Sequence, residues 1–237
     1  MANRWKEIWE KRSAEADDKK DIFELFCELK RADGFDTQNI NEYYESFWKE
    51  WEDLNERIQE GCGGKVDSLF EVGCGSGVNL LLFQRLGKVP AVGGMDYSPA
   101  LVDIAHKVVE SEDIFCGDAG DLDSTGKYDV VLAISVYQYF PDEDYGMNVL
   151  DKMCRKANKM VVITEIHDLD RMEEHMRRRR AEVEDYDEKY KGLEKTFYSK
   201  EKLVDFVKQR GWNYRILQPQ NEVYWNNAYV FDFYIYL

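Results

Sequence analysis

The feature that most constrains this chain is a glycine-rich segment that joins a short apolar run to an apolar helix. The segment reads Phe70-Glu71-Val72-Gly73-Cys74-Gly75-Ser76-Gly77. Glycines at such a junction let the backbone turn tightly and let a ligand approach the main chain, with helix N–H groups facing it. The spacing is Gly-x-Gly-x-Gly, and the residue three after Gly75 is Val78. The Gly-x-Gly-x-x-Gly fingerprint of dinucleotide-binding folds is therefore disfavoured.

Short apolar runs alternate with helical segments on either side of this turn. The predicted strands are residues 68–72, 91–95, 114–115, 128–134, 160–166, 212–217 and 228–237. Alternating β and α units predict a parallel sheet with helices on both faces. The last strand has no room for a helix before it, so it should pair antiparallel with its predecessor. The predicted fold class is α/β, a doubly wound, seven-stranded, mostly parallel Rossmann-like sheet with an antiparallel last strand.

The first sixty residues have helical periodicity. In residues 39–58 apolar and aromatic side chains recur at three- and four-residue steps, and an earlier helix stops near Gly34. We therefore predict a helical N-terminal extension at residues 1–60 and an α/β domain at residues 61–237, with a helical insertion at residues 168–195. The aromatic stripe, which includes Tyr43 and Tyr44, either folds over the ligand as a lid or packs against the sheet.

Two further acidic residues follow predicted strands. Asp96 comes nineteen residues after Gly77, where a carboxylate can accept hydrogen bonds from both hydroxyls of a ribose. Asp118 and Ala119 follow the third strand, where a carboxylate and a backbone amide could read an adenine edge, although an ordinary turn fits equally well. These placements suit any adenosine-containing ligand.

Four motifs in this order resemble those of class I S-adenosylmethionine-dependent methyltransferases. They are Glu71-Val72-Gly73-Cys74-Gly75-Ser76-Gly77, Gly94-Met95-Asp96-Tyr97-Ser98, Gly117-Asp118-Ala119 and Tyr128-Asp129-Val130-Val131-Leu132. The resemblance covers about residues 66–166 and implies the methyltransferase fold with S-adenosyl-L-methionine as cofactor. It implies that the three glycines line the methionine part, Asp96 holds the ribose, Tyr97 packs on the adenine, and Asp118 with Ala119 contacts the adenine ring. The predicted cofactor site is completed by Glu71, Cys74 and Ser135.

Methyl transfer from a sulfonium needs alignment of nucleophile, methyl and sulfur, and an oxygen nucleophile usually needs a base as well. His167, near the end of the fifth strand, is the candidate base, with Glu165 or Asp168 to orient it. It also fits a partly exposed loop histidine, and we expect His106 and His175 at the surface. The candidate substrate contacts are Tyr44, Tyr137, Tyr139 and Asn226, the last within a polar segment at residues 221–227 that also fits a plain hairpin connection.

The amino-acid composition limits the classes of molecule that this chain is expected to bind. The formal net charge is -15, so the overall field repels polyanions and disfavours a nucleic-acid substrate. The basic run at residues 177–180 fits a solvated helix face of mixed charge, or less well a site for a phosphate or carboxylate on the substrate. Five cysteines and three histidines lack zinc-type spacing, so no metal is expected. With no long apolar stretch and no signal-like N-terminus, we expect a cytoplasmic protein with no membrane partner.

The sequence thus predicts a methyltransferase that acts on an oxygen or nitrogen of a small polar metabolite. Sugar or secondary-metabolite tailoring is the leading hypothesis. Two alternatives stay open: a protein or RNA methyltransferase with a docking surface around the cofactor mouth, and a noncatalytic cofactor-binding scaffold whose aromatic N-terminal helix serves a partner. The sequence leaves both a monomer and a homodimer possible.

Overall fold

The computed structural model describes residues 4–9, 11–12, 20–35, 40–219 and 223–237. The helices in these ranges are α1 Arg4–Trp9, α2 Ile22–Ala32, α3 Ile40–Gly61, α4 Val78–Arg85, α5 Pro99–Val108, α6 Glu143–Lys156, α7 Met172–Glu182, α8 Tyr186–Lys189 and α9 Lys200–Lys208. The strands are β1 Ser68–Val72, β2 Ala91–Asp96, β3 Ile114–Cys116, β4 Tyr128–Ile134, β5 Ala157–His167, β6 Asn213–Leu217 and β7 Val230–Tyr236.

The strands form one seven-stranded sheet in the order β3-β2-β1-β4-β5-β7-β6. Strands β1 to β5 pair in parallel, and β7 lies antiparallel between β5 and β6. The direction of strand succession reverses between β1 and β4, and in open α/β sheets a ligand crevice forms beyond the carboxyl ends of the strands at such a point. The predicted fold class and the antiparallel pairing of the last two strands are confirmed.

Helices cover both faces of the sheet. Successive side chains of a strand point to opposite faces, so neighbouring residues join different clusters. Leu69 of β1 belongs to a cluster that includes buried residues of α2, α3, α4 and α5, whereas its neighbour Phe70 belongs to a second cluster with α6 and α9. Full burial of one such side chain stabilises the fold by about 1.5–3 kcal/mol. The central strands therefore hold the two helical layers together and fix the edge at which the strands end.

The aromatic stripe of α3 packs against the sheet. Tyr44, Phe47, Trp51, Leu54 and Ile58 are all buried within the first cluster. The packing interpretation is confirmed for these residues. Residue 39, the predicted start of this helix, lies outside the described residues, and the domain boundary at residue 60 stays a prediction.

The predicted helical insertion at residues 168–195 contains a 3-10 turn at Leu169–Arg171 followed by the two helices α7 and α8. Asp185 has a left-handed φ of 51° between α7 and α8, which a continuous helix cannot accommodate. In the arginine run, Arg178 pairs with Glu182 and Arg180 with Asp187. These pairs confirm a helix face of mixed charge, and the run does not line the cavity described below.

The strand ends differ slightly from the predictions. Strand β5 extends to His167, and β7 begins at Val230 because residues 225–229 form a 3-10 turn. In the described part of the chain, every helix is too short or too polar to cross a bilayer.

Candidate active site

A cavity of about 1130 Å³ lies at the carboxyl ends of strands β1 to β5. Its lining includes one residue from the end region of each strand: Gly73, Asp96, Cys116, Ser135, and Glu165, which lies two residues before the end of β5. This is the crevice that the sheet topology predicts. The five strands thus bring together residues that are separated by up to ninety positions in the chain.

The glycine turn approaches the cavity closely and requires glycine. Gly73, Gly75 and Gly77 have φ values of 73°, 53° and 81°, which side chains rarely adopt. A Cβ at Gly73 would lie 2.5 Å from Cγ2 of Val136, and a Cβ at Gly75 would lie 2.6 Å from Oδ1 of Asp33. The turn therefore presents bare backbone to the cavity at Gly73 and Gly75.

The N–H groups of this turn donate within the protein. Gly73 and Cys74 both donate to the Met95 carbonyl, at 2.7 and 3.0 Å, and Gly77 donates to the Cys74 carbonyl at 2.9 Å. Gly75 donates to Oδ2 of Asp96 at 3.0 Å, and Ser76 donates to a carboxylate of α2. The protein's own acceptors therefore satisfy the N–H groups of residues 73–77, and the expectation that N–H groups of the following helix face the ligand stays a prediction.

Asp96 ends β2 with its carboxylate held on both oxygens. Besides the bond from Gly75, its Oδ1 accepts a hydrogen bond of 2.8 Å from the N–H of Ser98. Burial raises the pKa of Asp96 above its ordinary value, and both backbone donors oppose that rise. The side chain is 8% exposed and lines the cavity, so its orientation is set before a ligand binds.

Asp118 also lines the cavity, as do Tyr97 and Ala119. One oxygen of Asp118 accepts hydrogen bonds from the N–H of Gly120 at 2.8 Å and from the hydroxyl of Tyr145. This carboxylate is therefore positioned by an interaction from α6, which the local sequence does not reveal.

Two carboxyl groups, those of Asp33 and Glu71, support the glycine turn. Asp33, at the end of α2, accepts from the N–H of Ser76 at 2.8 Å and from its hydroxyl at 2.9 Å, and it lines the cavity. Oε1 of Glu71 accepts from Nδ2 of Asn79 at 2.7 Å. Burial raises the pKa of Asp33 to about 6 and that of Glu71 to about 8.

Eight of the ten residues predicted to bind the cofactor line the cavity, and they are Gly73, Cys74, Gly75, Asp96, Tyr97, Asp118, Ala119 and Ser135. Glu71 and Gly77 do not line it. Glu71 is fully buried, and a Cβ on Gly77 would meet Ala105 at 2.9 Å, so these two residues shape the turn from behind.

The other end of the cavity is organised by Ser135 and Glu165. Oγ of Ser135 donates to Oε2 of Glu165 at 2.8 Å, and Nε2 of Gln138 donates to the Ser135 carbonyl at 2.8 Å. The backbone N–H of Glu165 donates to Oδ1 of Asp232 at 3.0 Å. The β5–β7 pairing shifts register between Ile163 and Ile166, and such bulges re-aim side chains.

Of the two predicted catalytic residues, Glu165 lines the cavity and His167 does not. His167 is 4% exposed, and its ring lies 4.9 Å from the His175 ring and 5.1 Å from the Phe197 ring. Burial holds the pKa of His167 well below its ordinary value. The ring is thus buried at the end of β5, neither at the cavity nor in the partly exposed loop that was the alternative.

The predicted substrate contacts divide in the same way. Tyr139 lines the cavity, whereas Tyr44 and Tyr137 are core residues, 1% and 0% exposed. Asn226 is buried, and its Oδ1 lies 3.1 Å from Nε2 of His175. Tyr44 and Tyr137 were predicted to contact the substrate, but neighbouring elements of the fold cover both side chains. Residues 221 and 222 of the polar segment lie outside the described residues.

The expectation that His175 is a surface residue is wrong, because it is 2% exposed among aromatic rings. His106 is exposed on α5, as expected. Within the described residues, no group of acidic, cysteine and histidine side chains is arranged to hold a metal.

Sequence reasoning missed much of the cavity lining. The further residues include Trp5, Trp9, Lys30, Asp33, Phe35, Phe47, Glu194, Lys195, Thr196 and Tyr224. They come from α1, α2, α3 and two C-terminal segments, and no motif connects them. The sequence indicated a binding role for these residues only through the aromatic content of the N-terminal segment and of residues 221–227.

A family model described as a methyltransferase domain matches residues 29–216, which is more than half of the chain. The chain belongs to this methyltransferase family. The match extends beyond the motif region at both ends and includes the last turn of α2 and all of α3. It confirms the class I S-adenosylmethionine-dependent methyltransferase, and with it the cofactor, that the four ordered motifs predicted.

Individual relatives are more distant. The chain is 30% identical over 128 residues to the nonribosomal peptide synthetase asqK of Emericella nidulans, which is 50% of this chain and 5% of that protein. It is 26% identical over 100 residues to the malonyl-[acyl-carrier protein] O-methyltransferase of Priestia megaterium, which is 41% of this chain and 36% of that protein. The matches therefore span well under two thirds of these relatives.

Among solved structures, the magnesium protoporphyrin IX methyltransferase of Synechocystis PCC 6803 with bound SAH is similar, with a TM-score of 0.63. The alignment covers 85% of this chain and 88% of that one at 11% sequence identity. At this identity the likeness shows the fold alone.

Proposed function

We propose that this methyltransferase transfers the methyl group of S-adenosylmethionine to an oxygen or nitrogen of a small polar metabolite. The observation that carries the proposal is that one cavity joins the cradle of Gly73, Asp96 and Asp118 to a second end lined by Tyr139 and Glu165. A methyl donor and an acceptor must meet in such a shared, water-excluding space, because alignment supplies much of the rate.

The charge of the cradle suits this cofactor. Its side chains include the carboxyl groups of Asp33, Asp96 and Asp118, and the N–H groups of residues 73–77 are already used within the protein. A pyrophosphate would meet carboxylates with few donors to bind it. S-adenosylmethionine presents a sulfonium, an ammonium and ribose hydroxyls, all of which carboxylates can bind. We assign the methionine part to Gly73 and Gly75, the ribose to Asp96, and the adenine to Tyr97, Asp118 and Ala119.

When bound, the cofactor supplies an electrophilic methyl on sulfur. An acceptor atom that took up this methyl would leave S-adenosylhomocysteine behind, and the acceptor would have to lose a proton. Glu165 is the carboxylate that we propose for that proton when the acceptor is a hydroxyl, because it lines the cavity and Ser135 fixes one of its oxygens. His167 is not retained in this role, since its ring is buried away from the cavity.

The acceptor end favours a small molecule. Phe35, Phe47 and Tyr224 line it as a group of rings with centroids 4.5 to 5.7 Å apart, and Trp5 and Trp9 add two further rings. Such a lining suits a compact acceptor with an apolar portion and a few polar groups. The similarity to a nonribosomal peptide synthetase supports secondary-metabolite tailoring. A macromolecular acceptor would need a basic or acidic docking surface at the mouth.

Calorimetric titration with S-adenosylmethionine and S-adenosylhomocysteine tests the proposal. The wild type and the matched surface variant Asp103→Ala should bind both with similar affinity, since Asp103 is exposed on α5. Asp96→Ala should lose binding, and Asp96→Asn, which keeps one acceptor oxygen, should bind more weakly than the wild type. Circular dichroism of each variant confirms folding. If the folded wild type binds neither ligand, the proposed function is wrong.

A further inference from the structure

Lys195 lies at the acceptor end of the cavity, where the insertion returns to the core. Its Nζ is 3.4 Å from the centroid of the Tyr139 ring and 4.4 Å from that of the Trp5 ring. Lys195 lines the cavity together with its neighbour Thr196. In the described part of the chain, no carboxylate oxygen lies within 4.0 Å of this Nζ. The ammonium group therefore contacts two aromatic rings and has no direct ion pair among the described residues, although the carboxylates of Glu165 and Glu194 line the same cavity.

An ammonium in this position needs a partner once a ligand displaces the cavity water. Removing a lysine charge from water is costly, and contact with the faces of aromatic rings returns only part of that cost. Burial holds the pKa of Lys195 well below its ordinary value, and the charge of Arg179 acts in the same direction, while Glu165 opposes both. A ligand that brings a negative charge would relieve this cost.

The other charged groups around the acceptor end are of both signs, and the carboxylates of Glu165 and Glu194 line the cavity. Lys30 also lines the cavity, and among the described residues it too has no salt bridge. The carboxyl groups of Glu50 and Asp232 lie behind this end, in a small adjoining cavity. Burial raises the pKa of each to about 7, so that near neutral pH both are partly protonated. Glu165 is the carboxylate that lines both cavities.

We infer that the acceptor carries a carboxylate or phosphate group that pairs with Lys195, on an apolar or aromatic body that packs among Phe35, Phe47 and Tyr224. This inference rests on the proposed function and names the chemical class of its substrate. The aromatic rings would pack against the apolar body of the acceptor, and Lys195 would pair with its anionic group. The arginine run of α7, which was the candidate for that group in the sequence, is engaged with Glu182 and Asp187 instead.

The test is binding of three matched probes to protein loaded with S-adenosylhomocysteine. Phenylacetate, phenylacetamide and phenyl phosphate share a ring and differ in charge, and their dissociation constants can be measured by ligand-observed NMR. We expect at least one of the two anions to bind the wild type tenfold or more tightly than the amide, and the tighter anion identifies the group. Lys195→Met should remove the preference and Lys195→Arg should retain part of it. Lys208→Met, at an exposed position of α9, should behave as the wild type.

Three results would overturn the inference: equal binding of the anions and the amide, an anion preference that survives Lys195→Met, or no binding of any probe to the loaded protein. Binding of S-adenosylhomocysteine is measured first in every variant. If the wild type does not bind it, the proposed function fails. If binding is intact and the anion preference is absent, only the assignment of the acceptor class fails.

Discussion

Ser135 and Glu165 join the ends of β4 and β5 through a 2.8 Å hydrogen bond, although both residues have left-handed backbone conformations, with φ values of 58° and 56°. A non-glycine residue in this region costs about 1–3 kcal/mol and persists only where its surroundings enforce it. Here Gln138 and Asp232 hold the backbones of the two residues. The strain is located at the acceptor end, where it aims a carboxylate into the cavity.

Glu165→Gln should lower the rate of methyl transfer about 100-fold or more for a hydroxyl acceptor, which is the contribution typical of a general base. The amide retains an oxygen that can accept from Ser135, so the geometry should survive while the proton acceptor is lost. Steady-state kinetics measure the effect, with Glu201→Gln on the exposed side of α9 as the matched control. An unchanged turnover number would remove Glu165 from the reaction.

His167→Phe should leave the turnover number within about threefold of the wild type once the folded fraction is taken into account. The ring lies among His175 and Phe197 and does not reach the cavity, so its loss is a packing change. The same assay as for Glu165→Gln measures it. A hundredfold loss in a fully folded variant would restore His167 as a catalytic residue.

Gly73→Ala should abolish cofactor binding and lower the free energy of unfolding by about 2–4 kcal/mol, because an added Cβ would meet Val136 and φ is positive. Gly63→Ala separates the two causes, since Gly63 has φ of 76° and nothing within 4 Å of the added Cβ. That control should lose about 1 kcal/mol and bind the cofactor normally. Urea unfolding and calorimetry measure both effects. Equal losses of stability in the two variants would show that the contact with Val136 is unimportant.

Glu71 should make stability fall as pH rises. Because its pKa is raised from 4.5 to about 8 in the folded state, the folded protein binds more protons than the unfolded chain between these values. Glu71→Gln removes this term and keeps an acceptor for Asn79. Above pH 8 the variant should be more stable than the wild type by on the order of 5 kcal/mol, with little difference below pH 4.5.

Thermal unfolding across pH 4 to 9 measures this difference. The control is Glu112→Gln, at an exposed position, which should follow the wild type throughout. Other buried carboxyl groups, including Asp33, also titrate in this range, so the informative quantity is the difference between Glu71→Gln and wild type. A constant difference over the whole range would contradict the prediction.

The cofactor half of the site was predictable because its chemistry is encoded in short windows. The positive φ angles of Gly73 and Gly75 need glycine locally, and Asp96 follows a strand whose end is visible in the apolar pattern. Even there, the local sequence did not reveal the acceptors that bind the N–H groups of the turn, because they lie in β2 and at the end of α2.

The acceptor half depends on contacts between distant parts of the chain. A regular strand would place Glu165 and His167 on one side, and the register shift in β5 separates them, so that only Glu165 reaches the cavity. In the sequence, nothing distinguishes Lys195 from the other lysines of its charged segment. Its role follows only from the contacts with Trp5 and Tyr139 that folding creates.

The sequence by itself thus determined the α/β fold, the order of its motifs and the position of the glycine turn. Hydrophobic periodicity and backbone preference depend on residues that are close in the sequence, so both can be predicted from the sequence alone. The tertiary structure alone decided which polar residues face the cavity and which are buried, because exposure, pKa and pairing depend on the neighbours that folding brings from elsewhere in the chain.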